Sequence, residues 1–305
     1  MELLWIPISI GAALMQSVRT AAQKNFNQRH STMVTTYVRS LFGLPPMILF
    51  LWAVSVLTSG EQPHFSTAFL LHSAGASISQ VLATYLLIRL FTLRNFAIGT
   101  TLTKTDVMIT ALIGSAFFAE SIDGLGWVAI LFTVVGVILI SVARTGVDAL
   151  TAGRSGIFAA LVSKPTRIGL ATGAAIALSY LFLRQASISL GEAHFLVRAG
   201  WTAVAVTVLQ VVLLGIWLVV REPKGLRSMF PDWRMCTFIG ITSALGSIGW
   251  FTAMTIQNAS YVKAVGQVET IFSLAISCLY FKEKFNAAEL IGIAVIVAGV
   301  LLFLL

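Results

Sequence analysis

This sequence predicts an all-α membrane protein, with ten transmembrane helices arranged as two inverted five-helix repeats. Three observations predict it. First, 57% of the 305 residues are hydrophobic and only 10% are charged, with a mean hydropathy of +0.91. Soluble domains average about 45–50% apolar and about 25% charged residues, so this chain cannot cover a water-facing surface and a soluble enzyme is excluded. Second, the apolar residues fall into ten segments close to the roughly 20 residues that cross a bilayer core of about 30 Å. Third, the two halves of the chain repeat one another. The short alternating strands of a membrane barrel are not found.

The segments fall at about 2–22, 33–58, 66–90, 95–118 and 124–143, then at 168–190, 194–220, 235–256, 258–281 and 286–305. The first span carries the polar stripe Gln16–Arg19–Gln23, and the second an arginine, Arg39, close to its start. Gln80, Thr84 and Leu87 lie along the third. Thr103, Lys104 and Asp106 interrupt the fourth, and the fifth is apolar and glycine-containing. The connection 144–167 carries Gly146, Gly153, Gly156 and Pro165, and its apolar stretch 157–162 is too short to span. It separates a first repeat, 1–143, from a second, 168–305. Tyr180 and Arg184 project from the sixth span, and Arg198 sits near the start of the seventh. Ser243, Ser247 and Trp250 lie in the eighth span, and Lys263, Gln267 and Glu269 in the ninth. No signal peptide is expected, since the start is Met-Glu rather than a basic segment.

An offset of 163 residues aligns Asn95 with Asn258, Asp106 with Glu269, Phe118 with Phe281, Glu120 with Glu283 and Gly136 with Gly299. A repeat with an odd number of spans reverses the orientation of its copy. The charges agree. Lys24, Arg29, Arg89, Arg94, Arg144, Arg154, Lys164, Arg167, Arg221, Lys224, Arg227, Arg234, Lys282 and Lys284 all fall in or beside alternate loops that share one side. By the positive-inside rule that side is cytoplasmic, which puts both termini outside.

Two repeats, each with an arginine early in its second helix (TTYVRS at 35–40, HFLVRA at 194–199), resemble the EamA type of the drug/metabolite transporter superfamily. So do the repeat ends FFAESIDGLGWVAILFTVVGVILI and YFKEKFNAAELIGIAVIVAGVLLF, where an aromatic-x-Glu element closes the fourth helix before a glycine-bearing fifth. The resemblance covers nearly the whole chain. It implies a substrate cavity between the repeats and, in many bacterial members, export of amino acids or other small metabolites. It also implies cytoplasmic termini, against the charge pattern, which we follow.

Charged side chains within spans each require an explanation, because one at mid-membrane costs roughly 2.5–3.5 kcal/mol or more. Asp106 and Glu269 occupy equivalent positions on small, polar helix faces. They read either as proton carriers or as members of buried ion pairs. Lys104 cannot reach an interface and must pair with an acid or face a wet cavity. Lys263 either joins it in substrate contact or snorkels. Arg39 and Arg198 read as structural clamps on loop carbonyls in preference to ligand-binding groups, Arg19 as a snorkelling or gating residue, and Arg184 as a snorkelling one. Glu120 and Glu283 read as helix-end structure. Gln16, Gln80, Thr103, Lys104, Tyr180, Ser243, Trp250, Lys263 and Gln267 are the candidate substrate contacts. His72 and His194 lack a second ligand at metal spacing, so no metal is expected, and no cofactor or nucleic-acid partner either.

The absence of a P-loop, a Rossmann fingerprint or a nucleophile triad leaves secondary transport as the leading expectation. The lysines favour a zwitterionic or carboxylate-bearing metabolite, moved by alternating access with proton coupling, in an inner-membrane monomer or homodimer. A multidrug or organic-cation exporter and a lipid flippase are the alternatives on the same scaffold.

Overall fold

The computed structural model describes residues 3–58, 60, 62–93, 103, 106–145, 164–281 and 287–302. Among these it contains thirteen α-helices, two 3-10 turns and no strand. In the first half α1 spans Trp5–Phe26, α2 Thr32–Leu41, α3 Leu44–Leu57, α4 Thr67–Leu93, α5 Asp106–Phe117 and α6 Gly124–Thr145. In the second, α7 spans Lys164–Ile188, α8 Phe195–Arg221, α9 Pro223–Ser228, α10 Trp233–Ile256, α11 Ala259–Val265, α12 Glu269–Phe281 and α13 Ala287–Leu301. Lys104, Glu283 and most of the 144–167 connection lie outside the described residues.

Five segments are long and apolar enough to cross a membrane: Thr32–Leu57, Thr67–Thr92, Arg167–Ile188, Phe195–Arg221 and Pro223–Ile256. Asp106–Phe117, Gly124–Gly136 and Leu290–Gly299 are apolar but shorter. The outward faces are themselves apolar, with Leu57, Phe117 and Leu279 more than four-fifths exposed and Leu49, Trp52, Leu71, Ile216 and Val220 nearly as open. In water such a belt would drive association; against lipid tails it is simply solvated.

Two of the predicted spans are broken. The second stops at Leu41 and restarts at Leu44, where Pro45 and Pro46 stand in the first turn of α3 and supply no amide hydrogens. The ninth is split by a 3-10 turn at Gly266–Val268, so Glu269 begins α12 rather than lying midway along a continuous helix. Asp106 likewise stands at the first residue of α5. The two equivalent acids therefore share an N-terminal helix position, where the helix dipole favours negative charge.

The halves interlock. α1 packs along α10, and its repeat counterpart α7 packs along α4, the counterpart of α10. α6 lies on α13, while α2 and α3 both lie on α8. The main core is shared by both halves: Trp5, Ala13, Ala76, Leu181, Ala203, Phe251 and Val265 belong to one cluster. A second cluster at the far end of α1 joins Phe26, Val34 and Val38 to Leu218, Met229 and Cys236.

One glycine fixes how closely α10 meets the α2–α3 break. A Cβ on Gly240 would lie 2.4 Å from the backbone carbonyl of Phe42, which cannot move without unmaking the turn at Gly43. Gly240→Ala is expected to destabilise the protein by about 1–3 kcal/mol, the usual range for overpacking. A lowered thermal midpoint in detergent checks it; an unchanged midpoint would mean that the two helices separate freely.

Candidate functional site

The polar residues within the bundle form three connected groups, and each crosses from one half to the other. The first centres on Gln16, halfway along α1. Its Nε2 donates to Glu269 Oε2 at 2.9 Å, and its Oε1 accepts from Trp250 Nε1 at 2.9 Å and from the Tyr180 hydroxyl at 3.5 Å. An indole N–H only donates, so Trp250 decides which way the Gln16 amide faces and directs its nitrogen to the carboxylate. The indole has room because position 266 lacks a side chain: a Cβ there would stand 2.5 Å from the Trp250 ring. Ser17 Oγ donates to the Glu269 backbone carbonyl at 3.3 Å and ties α1 to the start of α12.

The second group is an ion pair. Lys263 Nζ lies 2.8 Å from Asp106 Oδ2, and both side chains are almost wholly buried. The ammonium also stands 4.5 Å from the centroid of the Tyr180 ring and 5.2 Å from that of Trp250, so two aromatic faces close over it. Lys263 does not snorkel. Its helix stops two residues later, and the side chain turns inward to the acid of the opposite half.

Arg39 anchors the third group. One of its terminal nitrogens donates to Gln80 Oε1 at 3.0 Å and to Gln210 Oε1 at 2.9 Å, while Gln210 Nε2 donates to Gln80 Oε1 at 2.6 Å. Ser40 Oγ adds a bond to Gln210 Oε1 at 2.7 Å. Arg39 stands seven residues into α2, about 10 Å along the helix, too deep for the loop carbonyls it was expected to clamp. Arg198, in the corresponding position of α8, does donate to a loop carbonyl, that of Gly191 at 3.2 Å.

Between these groups lies a cavity of about 50 Å³ lined by Gln16, Arg19, Arg39, Gln80, Tyr180 and Trp250, with Thr84, Leu87, Ser179, Ser247 and Phe251 completing most of its wall. That volume holds a few waters; pockets for small organic ligands run to roughly 300–1,000 Å³.

Both ends of the bundle are tied across the halves. At the end where α1 finishes, His30 Nε2 meets Asp232 Oδ2 at 2.9 Å, Arg29 lies 3.5 Å from the same oxygen, and Ser31 Oγ donates to Glu222 at 3.0 Å. At the opposite end Glu120 caps a helix it does not belong to. It accepts from Ala259 N at 2.7 Å, Ser260 N at 3.2 Å and Ser260 Oγ at 2.5 Å, which satisfies the first amides of α11. Arg184 Nε lies 3.6 Å from the same carboxylate, and the guanidinium donates to Met254 O, Gln257 O and Asn258 Oδ1. Arg184 therefore faces inward rather than snorkelling, because a carboxylate and three oxygen acceptors await it there. Ala119 takes a left-handed φ of 52° to aim Glu120, and Gly114 leaves space for its carboxylate.

Of the candidate substrate contacts, Gln16, Gln80, Tyr180 and Trp250 line the cavity. Lys263 lies behind its aromatic wall. Gln267 is buried and donates to the Lys263 carbonyl at 3.3 Å, Ser243 lies one turn below Ser247, and the Thr103 carbonyl accepts from Asp106 N. Lys104 falls outside the described residues. Sequence reasoning missed Gln210, although a lone amide in the apolar stretch TVLQVVLL was a visible signal.

The family model described as the EamA-like transporter family matches residues 3–142 and again residues 167–305. Among solved structures with the same fold is a crystal structure, described only as that of a protein. It is 14% identical, over 99% of this chain and 97% of its own, with a TM-score of 0.68. No curated protein matches the sequence.

Proposed function

Because the chain belongs to the EamA-like transporter family, and so is a multi-pass membrane transporter of small molecules, we propose that it is a secondary exporter of a polar, carboxylate-bearing or zwitterionic metabolite of amino-acid-like size. Members of this family are transporters rather than enzymes. In this reading ten spans form two inverted repeats, 1–143 and 168–305, which rock about the central cavity in the inner (plasma) membrane. The basic loop side faces the cytoplasm.

The observation that supports it is the Gln16 hub. A single amide joins the cavity wall of Tyr180 and Trp250 to Glu269, so a ligand that moves the wall also moves a hydrogen bond to a buried carboxylate. Glu269 is the proton carrier in this proposal, with Asp106 in a lesser role because Lys263 already holds its charge. No carboxylate belongs to the cavity wall among the described residues, which disfavours organic cations as cargo.

Purified protein in liposomes, offered labelled amino acids, an organic cation and a labelled phospholipid in parallel, tests the proposal. Accumulation of one or more amino acids, driven by a pH gradient, is the expected result. Movement of the lipid or the cation alone would replace it with a flippase or a multidrug exporter. Glu269→Gln keeps an oxygen to accept from Gln16 but cannot carry a proton. It is expected to abolish accumulation against a gradient while sparing downhill exchange. Unchanged pH-driven accumulation in that variant would reduce Glu269 to a structural residue.

A further inference from the structure

Four cationic side chains are drawn into the described part of the bundle, and three are held there by hydrogen bonds or ion pairs. Lys263 has Asp106 and two aromatic faces. Arg184 has Glu120 and three oxygen acceptors. Arg39 is held by the paired amide oxygens of Gln80 and Gln210. Arg19 differs. It is only 7% exposed, it stands in the cavity wall one turn from Gln16, and its Nε finds no hydrogen-bond partner among the described residues.

A guanidinium carries five N–H donors and no acceptor, so a buried one with open valences is a site for an oxyanion. We propose that Arg19 is the anion subsite of the cavity and receives the carboxylate of the transported metabolite. This rests on the transport reading given above and names the residue that would give it its substrate class. Arg39 lines the same wall and adds a second positive charge, turned partly away by its glutamines. Glu269 lies near enough to act on the Arg19 charge but makes no hydrogen bond or ion pair with it among the described residues, its Oε2 accepting from the Gln16 amide instead. The wall thus presents two guanidinium groups and, among the described residues, no acid.

The rest of the lining fits a carboxylate with a short organic body. Ser179, Ser247, Thr84 and the Tyr180 hydroxyl are neutral polar groups around the charge. Ala83, Ile176 and Phe251 give an apolar side on which a side chain can rest. At about 50 Å³ the cavity holds a planar carboxylate as it stands, and the remainder of a metabolite enters as the halves part. Of the lysines predicted to fill this role, Lys263 is spent on Asp106 and does not line the wall, and Lys104 falls outside the described residues.

The test changes the ligand and the protein in turn. The full chain, purified in detergent, is titrated with L-amino acids, with the corresponding L-amino acid amides and with inorganic phosphate, and the thermal midpoint is followed. In the wild type, the amino acids that stabilise the protein are expected to lose about 30-fold or more in apparent affinity as their amides, and phosphate is expected to have no effect. Arg19→Gln is expected to weaken the acid by a similar factor and the amide hardly at all, since the contact is already gone. Amides that bind as well as acids would overturn the assignment without any variant, so a misfolded Arg19→Gln does not protect it. Full and additive losses, or phosphate binding in place of amino acids, would overturn it too. If amino acids are transported but bind independently of Arg19, the transport proposal survives and this one falls. If no amino acid binds or is transported, both fall.

Discussion

Lys263→Met is expected to destabilise the protein by about 3–5 kcal/mol, the cost of leaving one member of a buried pair without its partner. The pair spans the two halves at 2.8 Å, with both side chains shielded from solvent and the ammonium enclosed by Tyr180 and Trp250. Removing the amine strands the Asp106 carboxylate at the start of α5, where the helix dipole offsets only part of the loss. Asp106→Asn combined with Lys263→Met removes both charges and is expected to recover most of the stability. Thermal unfolding in detergent, read by labelling of the buried Cys236 thiol in a Cys278→Ser background, measures all three proteins. Equal midpoints for the single and double variants would mean that the carboxylate does not depend on the amine.

The second large effect is expected at the start of the helix that carries Lys263. Glu120→Gln replaces an oxygen that accepts hydrogen bonds with an NH₂ group that donates them, in front of the Ala259 and Ser260 amides. It also removes the charge facing Arg184. Loss of the cap alone amounts to about 0.5–2 kcal/mol, and a largely buried guanidinium left without its carboxylate, though still bonded to three oxygens, adds more, for a total of about 3–5 kcal/mol. Because the damage is local to the junction between the halves, hydrogen exchange at the first turn of α11 should rise before the global midpoint falls. Protection of those amides at wild-type levels would show that another group caps the helix.

The helical class, the family and the location of the polar residues were legible in the sequence, because composition and recurrence reveal them without any knowledge of packing. Gln16, Gln80, Tyr180 and Trp250, each visible in the sequence as a polar or aromatic residue inside an apolar span, line one cavity. Pairing was not legible. Periodicity places Lys263 on a face of its helix but does not say which helix that face meets, so Asp106, 157 positions earlier, could not be chosen over Glu269. Snorkelling was the wrong expectation for Arg184 for the same reason: distance to a loop is visible in one helix, whereas a carboxylate from the other half is not. The break at Gly266–Val268 was also hidden. An apolar run carries no mark of where its helix is interrupted to admit an indole from a neighbour.

The ties that close the two ends of the bundle, around His30 and Asp232 at one and Glu120 and Arg184 at the other, are hydrogen bonds and ion pairs rather than apolar contacts. Water is an adequate substitute partner for groups of this kind, so each such bond given up on the proposed opening forfeits about 1.5–3 kcal/mol net where one partner is charged. A greasy plug of similar extent would have to be wetted at about 25 cal/mol per Å² with nothing returned. In the proposed rocking of the halves, solvent reaching either end would work as a lubricant, taking over the ties one at a time, so that the barrier is climbed in small steps instead of one. Such a latch shuts tightly when dry and yields when flooded.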